Sequence, residues 1–112
     1  MAGKFEIYLD SAGEFRFRLK AANGQKILGS EGYASKAGCI NGIDSVKKNA
    51  EIDSRYNRKQ TQSGKYIFNL LATNNQVIGT SESYESTTSR ENGIESVRRN
   101  APDAAVEDIT GK

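Results

Sequence analysis

The sequence predicts an α+β protein made of two tandem β3-α-β repeats, and three observations carry that prediction. A 51-residue internal repeat lays residues 13–50 onto 64–101 without a gap, with 18 identities in 38 aligned positions. Apolar and polar residues alternate with period 2 through the first part of each copy. After Tyr33 and Tyr84 the spacing becomes helical. A unit of about 50 residues buries its own apolar face poorly, so the copies are expected to pack as one body. Repeat 1 is expected over about residues 10–58 and repeat 2 over about 61–109, within a single domain spanning 1–112.

Phe5-Glu6-Ile7-Tyr8-Leu9-Asp10 and Phe15-Arg16-Phe17-Arg18-Leu19-Lys20 both alternate as half-buried strands do, and Ser11-Ala12-Gly13 turns one into the other. Asn23-Gly24 fits a type I′ hairpin turn, because both residues tolerate positive φ, and a third strand is expected from about Gln25 to Tyr33. In the second copy Tyr66, Phe68 and Leu70 keep the inward register, and Asn74-Asn75 replaces the turn pair at some cost.

Cys39, Ile43, Val46 and Ala50, like Ile94, Val97 and Ala101, fall on one stripe of an amphipathic helix. Ser35 and Ser86 are natural N-caps, although Thr88 with Glu91 offers a capping box that would start the second helix two residues later. Lys47-Lys48 and Arg98-Arg99 complement the last-turn dipole, Asn49 and Asn100 suit a left-handed stop, and Pro102 reinforces the second. Gly42 and Gly93 stand inside the helices, where each costs about 1 kcal/mol against Ala. Both copies keep them, so the helix is expected to cross the sheet too closely for a Cβ. A short strand should follow each helix, at Ala50-Glu51-Ile52-Asp53 and Ala105-Val106-Glu107-Asp108-Ile109. The repeat maps Phe5, Ile7 and Leu9 onto Tyr56, Arg58 and Gln60, so the polar segment from Arg55 to Ser63 should be an edge strand running into a linker.

Composition bounds the chemistry. The chain has 112 residues, 16 basic and 14 acidic, for a net charge of +2, with no His and a single Cys. Imidazole acid/base catalysis, Cys/His zinc binding and an internal disulfide are thereby excluded. No phosphate-binding glycine motif or calcium-loop pattern occurs. The acids Asp44, Glu51 and Asp53, and Asp103, Glu107 and Asp108, read as solvated surface. Ser30-Glu31 and Ser81-Glu82, with Tyr33 and Tyr84 close by, lack a base that could activate the hydroxyl and read as structural. Cys39, on the apolar stripe, reads as a buried, unreactive thiol. No catalytic residue, cofactor or metal is expected. No apolar run nears the roughly 18 residues a bilayer span needs, and Met1-Ala2-Gly3-Lys4-Phe5-Glu6 lacks a secretory stretch, so a cytoplasmic monomer with no membrane partner is expected.

Phe15-Arg16-Phe17-Arg18-Leu19-Lys20-Ala21-Ala22-Asn23-Gly24, Ser30-Glu31-Gly32-Tyr33 and Asn41-Gly42-Ile43-Asp44-Ser45-Val46-Lys47-Lys48-Asn49-Ala50 resemble the YegP-like family of small bacterial proteins of unknown function. Phe68-Asn69-Leu70-Leu71-Ala72-Thr73-Asn74 and Asn92-Gly93-Ile94-Glu95-Ser96-Val97-Arg98-Arg99-Asn100-Ala101 repeat the pattern, which covers essentially the whole chain. The resemblance implies that the two motifs share one antiparallel sheet, with helices packed on one face and C-terminal strands exchanged between repeats. It brings no activity and no functional residue. Copy two departs from the pattern at Asn75, and at Arg90-Glu91 opposite Cys39-Ile40.

With helices on one face, the other presents Glu6, Tyr8, Asp10, Arg16, Arg18 and Lys20 in copy one, and these charges read first as a cross-strand ladder of acids and bases. In copy two the matching positions are Ile67, Asn69 and Leu71, and such apolar side chains either meet a partner or lie under a terminus or the exchanged strand. The expected function is a non-catalytic intracellular interaction or structural module acting through this sheet surface, with Tyr8, Arg16, Arg18, Lys20, Ile67 and Leu71 as the partner surface. The alternative is a weak single-stranded nucleic-acid binder, using cations beside aromatic rings. A net charge of +2 is far below the footprint such binders show.

Overall fold

Each copy contributes three strands and a helix in a computed structural model that describes residues 3–111. The two ends of the expected domain, Met1-Ala2 and Lys112, lie outside the described residues. Copy one supplies β1 (Lys4–Leu9), β2 (Phe15–Lys20), β3 (Lys26–Gly29) and α1 (Lys36–Asn49). Copy two supplies β4 (Tyr56–Gln60), β5 (Tyr66–Leu71), β6 (Val77–Thr80), α2 (Thr87–Asn100) and a last strand, β7 (Ala105–Asp108). The seven strands form one sheet in the order β4-β5-β6-β3-β2-β1-β7. Antiparallel pairing joins all neighbours but one, since β7 runs parallel to β1.

The repeat explains that exception. A shift of 51 residues maps β1 onto β4 and carries β4 onto residues 107–111, overlapping the end of β7, so the three occupy corresponding places in the repeat. β4 takes the place beside β5. The matching place beside β2 is already filled by β1, so β7 adds one position further out, alongside β1 and pointing the same way. The exchange of C-terminal strands follows: β4 comes directly after α1 yet edges the second half, and β7 comes after α2 yet edges the first.

The same shift relates two aromatic stacks. Phe5 meets Phe17 edge-on at 5.7 Å and Phe17 lies parallel to Tyr33 at 6.4 Å, while Tyr56, Phe68 and Tyr84 repeat the arrangement at 5.6 and 6.5 Å. Tyr56 is the one apolar anchor of the otherwise polar β4, and its hydroxyl donates to Ala50 O at the end of α1, 2.6 Å away. The rest of β4 is held by charge. Arg58 donates to Glu91 and Asp53, and Arg90 lies over the Tyr66 ring and donates to Lys59 O. The Arg90-Glu91 departure at the start of α2 is thus matched to a polar strand, whereas its counterpart Cys39 is fully buried. Burial pushes the Cys39 thiol up to about 11.

Several local expectations are corrected. Ala50 is a right-handed helix cap and Asp53–Arg55 is a 3₁₀ turn, so no strand forms over 50–53; pairing begins at Tyr56. The third strand stops at Gly29, and Tyr33 touches Phe15 through an isolated bridge, because Ser30 turns its hydroxyl inward to accept from Phe17 N and donate to Glu31 O. Ser81 does the same with Phe68 and Glu82. Ser86 caps α2 by accepting from Ser89 N, so the later start at Thr88 does not occur. Asn49 and Asn100 stay inside right-handed helix and fold back to donate to Ser45 O and Ser96 O, at 2.8 and 2.7 Å. Asp53 and Asp108 do lie at the solvated surface, where they pair with Arg58 and Lys36.

The type I′ turn is replaced as well. All four hairpins close the same five-residue turn, in which the fourth residue donates to the first carbonyl and the first donates to the fifth. Only the fourth residue needs positive φ, and Gly13, Gly24, Gly64 and Asn75 occupy it. Asn23 and Asn74 keep negative φ and accept instead from Gln25 N and Gln76 N.

The interior glycines answer to the tyrosines. A Cβ on Gly42 would lie 2.4 Å from the Tyr33 hydroxyl, and one on Gly93 would lie 2.3 Å from that of Tyr84. At the junction of the halves a related fit occurs. Leu28 and Gly79 are repeat equivalents on the adjacent strands β3 and β6, and the fully buried Leu28 side chain fills the space a Gly79 Cβ would need, 2.6 Å away.

Two stability predictions follow from these contacts. Gly42→Ala should destabilise by roughly 1–3 kcal/mol in denaturant melts although Ala favours helix, and should cost less when Tyr33 is also Ala. Gly79→Leu should destabilise by at least that amount, and the swap Leu28→Gly/Gly79→Leu should recover part of the loss, measured in the same melts.

Candidate functional site

The helices cover one face of the sheet and leave the other to charged and apolar side chains from alternating strand positions. On the copy-one half, Glu6 is the hub. Its side chain is only 7% exposed and accepts from Arg18 at 2.7 Å, with Lys20 at 3.2 Å and Lys4 at 3.4 Å. Arg18 hydrogen bonding, helped by the two lysines, holds the Glu6 carboxyl down at about 2. The Arg18 guanidinium also lies over the Tyr8 ring, 4.6 Å from its centroid. Arg16 donates to Asp10 at 2.7 Å and to Ser30 O at 3.1 Å. The cross-strand ladder expected of these residues is therefore present, built on the pairing of Glu6 with Arg18 in the β1–β2 register.

Tyr8, Arg16, Arg18 and Lys20 are brought together on adjacent strands, but Ile67 and Leu71 are not brought to them. β6 and β3 intervene between β5 and β2, three strand spacings or roughly 14 Å. The six residues form two patches. Ile67 and Leu71 are half-buried, and between them the buried Asn69 accepts from the Thr80 hydroxyl at 2.9 Å. Val77, the register partner of Leu71, is 37% exposed. β7 lies at the opposite edge of the sheet, so the exchanged strand does not cover this patch. Sequence reasoning placed Glu6 on this face but left it out of the partner surface. Its isolation among three cations was the available signal. Reasoning also missed two polar concavities on the helix side, where the hairpin turns of one half approach the helix of the other.

A tandem duplication with exchanged edge strands, a shared core and a divided outer face defines a class of small repeat proteins. The chain belongs to the family described as "Domain of unknown function (DUF1508)", which matches it twice, at residues 10–57 and 62–108. It is 62% identical to the UPF0339 protein in ptx operon 5′region of Stutzerimonas stutzeri, over 97% of this chain and 98% of that one. It is 47% identical to the UPF0339 protein YegP of Escherichia coli K12, over 98% of this chain and all of the other. The solution NMR structure of E. coli yegP, a protein of unknown function, superposes with a TM-score of 0.95 at 47% identity, covering 100% of this chain and 97% of that one. A UPF0339 protein from Shewanella oneidensis, also solved by NMR, gives 0.93 at 45% identity, covering 100% and 95%. The relatives are uncharacterised and carry no assigned function.

The depressed Glu6 carboxyl gives a signed pH dependence. Its folded value lies below the ordinary 4.5, so its stabilisation is complete above about 4.5 and is lost as pH falls toward about 2. Thermal melts across that window should show the loss, and Glu6→Gln should flatten it while costing roughly 1–3 kcal/mol at neutral pH by leaving Arg18 without its acceptor.

Proposed function

We propose that the protein is a non-catalytic, cytoplasmic interaction module, monomeric by itself, that binds a protein partner through the β5 half of its outer sheet face. The observation that carries this reading is the division of that face. Where copy one places Arg16, Arg18 and Lys20 and neutralises them internally, copy two places Ile67, Asn69 and Leu71, which satisfy no charge, with half-buried Leu71 beside the exposed Val77. Apolar side chains so placed favour a dry contact. A non-catalytic role is supported by a sequence without His and by the structural use of the Ser30 and Ser81 hydroxyls. The free, buried Cys39 suits a reducing compartment, and no helix among the described residues is long and apolar enough to cross a membrane. Binding of single-stranded nucleic acid is disfavoured by the same ladder, because Arg16 and Arg18 already hold carboxylates and the Tyr8 face is occupied by Arg18.

Ile67→Glu/Leu71→Glu tests the surface. Wild type and variant should both be monomers by light scattering and share one melting profile, while proteins captured from native lysate by the wild type are lost with the variant. An unchanged captured set would remove the proposal. Salt-sensitive oligonucleotide binding that survives the variant would replace it with the nucleic-acid reading.

A further inference from the structure

The two concavities on the helix side are built on the same repeat framework, although their carboxylates are not equivalents, Asp44 corresponding to Glu95 and Asp103 to Ile52. One, of about 650 Å³, lies between the β2–β3 turn and the end of α2, and is lined by Ala21, Asn23, Ser96, Arg99, Asn100 and Asp103 among others. The other, of about 510 Å³, lies between the β5–β6 turn and the end of α1, and includes Ala72, Asn74, Asp44, Ser45, Lys48 and Asn49. The 51-residue shift carries the first onto the second, Ala21 to Ala72, Asn23 to Asn74, and Ser96, Arg99 and Asn100 back to Ser45, Lys48 and Asn49. Each groove therefore joins the turn of one copy to the helix of the other, and it exists only because the halves interlock.

Each groove is lined by an asparagine that uses only the amide nitrogen of its side chain in hydrogen bonds within the protein. Asn49 is 4% and Asn100 is 9% exposed. Their Nδ2 atoms face the Ser45 and Ser96 carbonyls, which fixes the orientation of the amides. Among the described residues the Oδ1 atoms accept no hydrogen bond from the protein and stay open to solvent, since neither is a buried, unpartnered atom. Helix C-capping does not explain these amides, since both helices continue right-handed through them. Charge gathers at the rims. Among the described residues Asp44, Lys48 and Asp103 enter no ion pair, and Arg99 reaches only Glu95, at 4.0 Å. Each groove thus offers one cation, one carboxylate and one solvent-accessible amide acceptor. No aromatic ring lines either, so neither has a platform for a nucleobase or a sugar face.

We propose that the grooves are twin binding sites for a small zwitterion of the α-amino-acid class. The ligand ammonium donates to the Asn49 or Asn100 Oδ1 and faces Asp44 or Asp103, and its carboxylate meets Lys48 or Arg99. The volumes fall within the range of small-molecule sites and leave room for bridging water. The proposal is independent of the outer-face reading, since the grooves lie on the helix side and use none of its residues.

The test is a ¹H–¹⁵N NMR titration of the full chain with L-glutamine, with succinate and putrescine as probes that carry only one sign of charge. L-Glutamine should shift the Asn49 and Asn100 side-chain amides and the Ala22 and Thr73 backbone amides saturably, and each control should bind at least about tenfold more weakly. Lys48 and Arg99 are exposed, so their substitution spares the fold. Lys48→Ala should weaken binding about tenfold in the Asn49 groove alone, and Arg99→Ala in the Asn100 groove alone. No saturable shift at millimolar L-glutamine, equal binding of succinate, or variants without groove-specific effect would each overturn the proposal.

Discussion

The seam between β3 and β6 is the constraint on which the rest of the molecule depends. The two halves meet there through strands of four residues each, and the register pairs Gly29 with Thr80. So short a ladder cannot join two halves, and the work passes to side chains. Leu28 occupies the space that its repeat equivalent Gly79 vacates, and each helix crosses the seam, α1 to reach β6 and α2 to reach β3. Two leucines would collide here and two glycines would leave a void, each costing stability. Two identical units meeting about a twofold axis would have the same residue on both sides. Linking the units in one chain lets one position be large and the other absent.

Away from the seam the duplication is kept more strictly. Both aromatic stacks, both helix-interior glycines and both inward serines sit in equivalent places because they form one connected device. The serine takes the Phe17 or Phe68 amide that β3 or β6 has stopped pairing, and this lets the chain turn the following tyrosine under the helix. The tyrosine then requires a glycine above it. A change in one member is transmitted to the others, which is why the identities in the repeat cluster on these residues.

Much of this was legible in the sequence, because period and repetition are local. The strands β1, β2 and β5, both helices, the Ser35 and Ser86 caps and the close approach at Gly42 and Gly93 all follow from spacing. What was illegible depended on partners distant in the chain. Asn23-Gly24 fits a two-residue turn equally well, and only closure by Ala21 and Gln25 shows that Gly24 alone carries positive φ. The parallel β7 could not be read from its own residues, since its direction is set by β1 having taken the place beside β2. Of the outer-face residues, the Glu6–Arg18 ladder was readable from strand register. The separation of Ile67 and Leu71 from it was not, because that rests on the strand order.

The two copies have diverged unequally over their surfaces. At the outward positions of β2 and β5, Arg16, Arg18 and Lys20 stand against Ile67, Asn69 and Leu71, with no identity among them. Around the grooves Ala21, Asn23, Asn41, Ser45 and Asn49 are each matched by the same residue 51 positions on. Packing accounts for part of that agreement, since the asparagine amide holds the helix end through Ser45 O or Ser96 O. It does not account for a carboxamide in particular. A serine or threonine hydroxyl folds back on a helix carbonyl with less polar surface to bury. The half of each amide that the fold does not use stays open to solvent on a residue that lines the concavity formed with the other copy's turn. One surface has been freed to differ between the copies and the other has kept most of its polar framework in both, and this separates a face that acts once per molecule from a site that occurs twice.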